Sequence, residues 1–207
     1  MNFLRNAQER QLFARRLKER QCSLSQQQNE KELDAKEEQE DAIWKYACDQ
    51  GCGDGNVRIV WQDLPRISNR LYNFSRTYGR DLVHLALDGT GLRNLQEIPR
   101  HCQELRHLSL ASNAIDDITG IHLIAKLEHL NLLRNNLKTL PVEVGDLVNL
   151  ETLHLANNSL SQLPSSIGNL VKLDHLNGES NELTELPREI GNLNCEVLNL
   201  NFNQVSL

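Results

Sequence analysis

From Leu82 to the end of the chain, leucines recur in a fixed pattern of apolar and polar positions. Each unit begins Leu-x-x-Leu-x-Leu, and Asn or Thr follows three residues after the last of these leucines. Six units can be written in register, and their first residues are Leu82, Leu105, Leu127, Leu150, Leu173 and Cys195. Because residues two apart share one face of a strand, Leu-x-Leu predicts a short strand with one buried face. Stacked units would bury these faces in one continuous leucine core under a parallel sheet.

The remainder of each unit predicts how the chain returns to the next strand. An asparagine closes five of the six units, at Asn113, Asn135, Asn158, Asn181 and Asn203. Its amide can satisfy backbone groups that have left the sheet, so we expect a ladder of asparagines. The second halves 140–147, 163–170 and 186–193 share the pattern Leu-Pro-x-x-(Ile/Val)-Gly-x-Leu. We expect them to pack behind the sheet.

This pattern resembles the leucine-rich repeat family over residues 82–207. The Leu-Pro second halves are similar to those of the Ras-group, scribble-like cytoplasmic subclass, which consists mainly of scaffolds. The resemblance implies an α/β solenoid, a horseshoe of about six units, that holds a protein partner on its concave face without enzymatic activity. An alternative is a regulatory or specificity subunit of a signalling enzyme, which could be a phosphatase, a ubiquitin ligase or an enzyme of a GTPase pathway.

Two features of the repeats depart from the pattern. Gly178 stands where the fifth unit should have a core leucine, and a void there would cost about 2–5 kcal/mol unless neighbours fill it. A locally loose repeat is the favoured interpretation. The chain also stops at Leu207, partway through the sixth unit and without the polar cap that solenoids usually have. We expect an exposed leucine end there.

The first third of the chain differs in composition. Residues 1–50 contain no Pro or Gly and are dense in charged residues, with six cations in 1–20 and seven acids in 30–41. They predict a charged helical arm, partly disordered or bound in an assembly, that could contact a filament or large complex. Residues 51–56 predict a Gly-rich linker, and the aromatic-rich residues 57–81 an N-terminal cap.

Charge and cysteine content narrow the classes of partner and compartment. Eight cations against fifteen acids from Leu82 onward disfavour a nucleic-acid partner. Five scattered cysteines without a secretory leader indicate reduced thiols, and no apolar run is long enough to predict a membrane span. We expect a cytoplasmic protein in a cytoskeletal or ciliary assembly. The Arg-rich start leaves mitochondrial import, as an assembly factor, as an alternative.

Histidines supply the candidate surface. Four of the seven occupy one repeat position that should face outward on the concave side: His84, His107, His129 and His175. His154 shares the next outward column with Asn131, Asn177 and Asn199. Imidazoles on adjacent strands would lie near 5 Å apart, close enough to lower each other's pKa or to bind an anion or metal together. The favoured interpretation is that histidine is simply a tolerated polar residue at this exposed repeat position. Leu133, Arg134 and Phe202 are the favoured partner contacts.

The glycine-rich and cysteine-containing segments do not match catalytic or cofactor-binding motifs. Residues 51–55 are glycine-rich but lack the Lys-Ser/Thr of a P-loop. Cys48 and Cys52 have no second pair at zinc-ligand spacing. We therefore predict no cofactor and no metal, and an enzyme would depend on the histidine column alone.

Overall fold

The computed structural model describes residues 75–76, 79–95 and 97–205, together with the backbone of residues 56–58. The predicted arm, and most of the predicted linker and cap, lie outside the described residues. The described part of the chain is dominated by one sheet backed by short helices.

The sheet consists of seven parallel strands that follow one another in chain order. They are β1 (Asn56–Arg58), β2 (His84–Ala86), β3 (His107–Ser109), β4 (His129–Asn131), β5 (Thr152–His154), β6 (His175–Asn177) and β7 (Val197–Asn199). Each strand of the repeats is three residues long and coincides with the middle of Leu-x-x-Leu-x-Leu, as the pattern predicts. The same repeat positions are paired across every interface, for example Leu108 with Leu130. The predicted leucine-rich repeat solenoid is confirmed.

The sheet starts one strand before the six predicted repeats. β1 pairs in parallel with β2, with Asn56 opposite His84 and Arg58 opposite Ala86. This strand crosses the predicted boundary between the linker and the cap, which was placed after residue 56. Its three residues carry no Leu-x-Leu pattern, so the periodicity could not reveal it.

The leucine core follows the repeat from the first to the fifth unit. Leu85, Leu108, Leu130, Leu153 and Leu176 point inward and are at most 1% exposed. In the last strand Leu198 is 48% exposed, because no described strand covers it from the other side. The sixth unit is therefore less buried than the five units before it in the described residues.

Behind the sheet, residues 79–205 form a short α-helix and a series of 3-10 helices in the part of the chain that the structure describes. The α-helix α1 is Ile98–His101, and the 3-10 helices are Gly79–Asp81, Ile121–Leu123, Val142–Asp146, Ser165–Asn169 and Arg188–Asn192. A proline in extended conformation precedes each of the last three, which explains the Leu-Pro of the repeat: proline fixes φ and directs the chain into the helix. These helices bury their Val or Ile against the back of the sheet, most completely at Val144 and Ile167.

The asparagine ladder forms as predicted. In a representative unit, Asn158 Nδ2 donates to the carbonyls of Leu132 and Leu155, both at 2.9 Å. Its Oδ1 accepts from the backbone N–H of Leu137 at 3.0 Å. Each asparagine therefore satisfies backbone groups of its own unit and of the preceding one. In the first unit, Thr90 replaces it and donates to the carbonyl of Leu87.

A leucine of the next unit approaches the position of Gly178. A Cβ built there would lie 3.0 Å from Cδ2 of Leu200, which belongs to the next unit. The sixth unit therefore packs into the space that the missing leucine leaves. The expected loss of 2–5 kcal/mol does not apply, since that cost belongs to an unfilled cavity.

Within the described residues, no helix is long and apolar enough to cross a membrane.

Candidate functional site

The four predicted column histidines lie in one line on the sheet face that is turned away from the core, which we call the concave face. His84 pairs with His107 and His107 with His129. Thr152 takes the next place, and His175 follows it. Strand pairing therefore confirms the alignment, because parallel strands in register set equivalent side chains side by side.

Three of these imidazoles stack. The ring centroids of His84 and His107 are 4.1 Å apart, and those of His107 and His129 are 4.3 Å apart, with planes inclined by about 15°. All three side chains are half-buried, whereas His175, separated from them by Thr152, is exposed. Partial burial, and then the neighbouring imidazoles, lower the pKa of His107 below its usual value. The lowered pKa of His107 favours an uncharged imidazole in the centre of the stack.

The next outward column carries His154 and a polar network. Asp88 Oδ1 accepts hydrogen bonds from Ser109 Oγ at 2.6 Å and from the backbone N–H of Ala111 at 2.7 Å. Asn131 Nδ2 donates to Ser109 Oγ at 3.2 Å. Burial first, and then the histidines at 175 and 129, lower the pKa of His154. Asp88 and Ser109 were not among the predicted site residues, although Ser109 shares the column.

These two columns form the floor of a shallow depression of about 520 Å³. Five predicted residues line it: His84, His107, His129, Asn131 and His154. Asp88, Ser109 and Thr152 line it as well. The predicted residues Leu133, Arg134, His175, Asn177, Asn199 and Phe202 do not. The site is thus concentrated on strands β2–β5.

Arg134 and Phe202 lie in the turns that follow the strands. Both have a positive φ of 56°, as do Ser112 and Asn157 at the same repeat position. Gly89 occupies this position in the first unit, with φ of 68°. Side chains in this left-handed conformation leave the sheet plane, and that of Phe202 is 77% exposed. These residues therefore form a rim beside the concave face.

A charged edge flanks the histidine column on its other side, and the sequence interpretation missed it. From the second unit onward, the residue before the column position is Arg106, Glu128, Glu151, Asp174 or Glu196, whereas the first unit has Val83. Arg106 pairs with Glu128, and Glu151 Oε2 lies 3.9 Å from His129 Nε2. The register that placed the histidines would have placed these acids in a parallel column.

Among the described residues, one group brings three possible metal ligands together. The ligand atoms of His107, Glu128 and His129 all lie within 4.8 Å of one another, and each side chain is half-buried. Two imidazoles and one carboxylate are a donor set suited to divalent transition metals.

Comparison with known proteins assigns the chain to a family. The model of the leucine-rich repeat region matches residues 94–203, more than half of the chain. This chain therefore belongs to the leucine-rich repeat proteins. No curated protein matches it.

Solved structures of leucine-rich repeat proteins share the fold. A Leptospira interrogans leucine-rich repeat protein is 30% identical with a TM-score of 0.64, and the alignment covers 74% of this chain and 40% of that one. A plant peptide hormone receptor, RGFR1 in complex with RGF2, is 36% identical with a TM-score of 0.55, covering 60% and 21%. InlP of Listeria monocytogenes is 26% identical with a TM-score of 0.55, covering 62% and 36%. The chain spans less than half the length of each.

Leucine-rich repeat proteins are typically non-enzymatic interaction modules, and this fold suggests a scaffold for protein–protein interaction. The Ras-group subclass stays a prediction from the Leu-Pro second halves.

Proposed function

We propose that this chain is a non-enzymatic interaction module that binds a protein partner on the concave face. The observation that carries the proposal is the strand register. It buries the leucines and lines up the intervening polar side chains of β2–β5 along a depression of about 520 Å³.

The chemistry of the depression suits recognition of a polypeptide. Stacked imidazoles offer flat aromatic surfaces, and Thr152 in the same column and Asn131 and Ser109 in the neighbouring one offer hydroxyl and amide groups. Such mixed surfaces make hydrogen bonds to a peptide backbone while burying moderate apolar area. Because the backbone of the short strands is fixed by the sheet, little conformational entropy is lost on binding.

Exposed side chains on the rim provide candidate anchors. Phe202 is 77% exposed, and Arg134 is exposed in the equivalent turn three units earlier. Exposed aromatic and arginine side chains are enriched among residues that contribute most to binding energy. We expect the partner to contact the depression and to extend over this rim.

The plant receptor among the similar structures was solved with RGF2 bound. That complex supports peptide recognition by a related solenoid. It does not identify the partner of this chain.

The place of this module in the cell is inferred from sequence alone. We propose that the charged segment 1–50, with its basic start and acidic continuation, anchors the repeats in a larger cytoplasmic or cytoskeletal assembly. Opposite charges on the two parts of the segment would fix its direction along a charged surface.

The test compares one substitution on each side of the sheet. Thr152 stands in the middle of the concave face, in the gap of the histidine column. Val142, also β-branched and 65% exposed, lies on a 3-10 helix behind the sheet. The full-length wild type, Thr152→Arg and Val142→Arg are expressed with a tag in cells, and copurifying proteins are quantified by mass spectrometry.

The proposal expects specific partners of the wild type to be retained by Val142→Arg and reduced at least about tenfold by Thr152→Arg, with unchanged circular dichroism in both. A partner set that survives Thr152→Arg but is lost with Val142→Arg would place the interaction behind the sheet. Equal retention by both variants would also overturn the concave-face assignment.

A further inference from the structure

We propose that His107, Glu128 and His129 form a binding site for a divalent transition-metal ion of the Zn²⁺ class on the concave face. This site stands independently of the proposed partner binding, because it depends only on side chains of this chain.

Strand register creates the site. β3 and β4 place His107 directly opposite His129, and their rings stack with centroids 4.3 Å apart. Glu128 immediately precedes His129 and reaches the same point. The ligand atoms of all three residues lie within 4.8 Å of one another.

Small side-chain movements would bring the three ligand atoms as close together as they must be to bind one metal ion. With bonds of about 2.0–2.1 Å, two ligands of a tetrahedral zinc ion are roughly 3.4 Å apart. The three side chains are half-buried on the surface of the sheet, so they are not confined by core packing. A rotation about χ2 of either imidazole moves a ring nitrogen by the required distance while the strands stay in place.

The surrounding charges favour a cation. Glu151 Oε2 lies 3.9 Å from His129 Nε2 and adds a second carboxylate beside the site. Arg106 opposes binding by its charge, but its contact is with Oε1 of Glu128. The carboxylate retains a second oxygen to offer, and the arginine holds it in place, as outer residues commonly do around metal ligands.

The donor set selects the class of ion. Calcium and magnesium take six or more oxygen ligands, whereas this site offers two imidazoles and one carboxylate. Imidazole with carboxylate suits Zn²⁺, Ni²⁺ or Cu²⁺. Three protein ligands leave a fourth position of a tetrahedral ion directed away from the sheet, where water can bind.

The experiment is calorimetric titration of the reduced full-length chain with Zn²⁺. Variants His107→Gln, Glu128→Gln and His129→Gln each remove one ligand. His175→Gln is the matched control, because His175 shares the column but its strand neighbours are Thr152 and Val197. We expect each ligand variant to weaken binding at least about tenfold, and the control to bind as the wild type does.

Glu128→Gln keeps the shape of the side chain and leaves the histidine stack untouched, so its loss of affinity cannot be attributed to repacking of the rings. Titration with Co²⁺ separates this site from the cysteines, because thiolate ligands add an intense near-ultraviolet charge-transfer band. Visible absorption without that band, lost in His129→Gln, supports the proposal. Absence of Zn²⁺ binding, equal binding by all variants, or binding that disappears only when cysteines are alkylated would overturn it.

Discussion

Successive 3-10 helices pack closely behind the sheet. We therefore expect alanine to be poorly tolerated at one glycine, Gly168, and well tolerated at the equivalent glycine of the next repeat, Gly191. Gly168 and Gly191 occupy the same position in two Ile-Gly-Asn-Leu sequences. A Cβ at Gly168 would lie 2.5 Å from the carbonyl oxygen of Glu189 and 2.7 Å from its Cβ, whereas one at Gly191 would meet nothing within 4 Å. The obstruction at Gly168 includes backbone, so the helices themselves must separate.

The magnitude follows from two opposing effects. Replacing Gly with Ala lowers the entropy of the unfolded chain and stabilises the fold by about 0.4–1 kcal/mol where the conformation is permitted. Overpacking at a close contact costs about 1–3 kcal/mol. We therefore expect Gly191→Ala to be neutral or slightly stabilising. Gly168→Ala should be less stable than Gly191→Ala by about 1–3 kcal/mol.

Urea unfolding of the full-length variants, followed by circular dichroism, measures this difference. The two substitutions share their immediate sequence neighbours, so a difference in unfolding free energy reports the steric contact. Equal stabilities would show that the helices do not approach as closely as described, and the packing argument would be wrong.

Three other predictions concern single side chains. Asn158→Ala removes the side chain that satisfies partly buried backbone groups of its own unit and of the preceding one, so it should lower the free energy of unfolding by about 2–4 kcal/mol, and a loss below about 1 kcal/mol in urea unfolding would contradict the ladder's role. Burial raises the pKa of the Cys102 thiol to about 12, so native alkylation at pH 8, followed by mass spectrometry, should modify Cys195 well before Cys102; equal rates would contradict this. Burial, and then the nearby histidines, lower the pKa of His154 in the folded state. The folded state is therefore most stable with respect to His154 above the unfolded-state pKa, and part of its free energy of unfolding is lost as the pH falls from that value through the lower folded-state pKa. In NMR titration, His175→Gln should raise the pKa of His154, and no change would show that the two do not interact.

Periodicity was sufficient for the core and for the histidine column. Leu-x-Leu has only one way to bury both leucines, so the alternation fixes which side chains face outward. Equal spacing of the units then fixes which of them become neighbours. His84, His107 and His129 could therefore be placed side by side from their sequence positions alone.

The repeat pattern did not predict features that depend on local backbone conformation or on side chains of a neighbouring unit. The sequence predicts a locally loose repeat at Gly178, whereas Leu200 of the next unit comes within 3.0 Å of the position that a Cβ would take there. Arg134 and Phe202 face outward, as their repeat positions predict. The left-handed backbone conformation that places them on the rim could not be predicted, because residues with these side chains usually avoid it. Glu128 lies just before the strand, outside the alternating positions from which the concave surface was predicted, although its repeat position is as regular as that of the histidines.

The most direct test of the proposed function uses the histidines of the wild-type chain as reporters. Once a partner is identified, its complex is treated with diethylpyrocarbonate, and modification of each histidine is quantified by mass spectrometry against the free chain. We expect protection of His107, His129 and His154 on the concave face. His101 and His122, on the helices Ile98–His101 and Ile121–Leu123 behind the sheet, should react equally in both samples. Protection confined to His101 and His122, with unchanged modification on the concave face, would contradict the account.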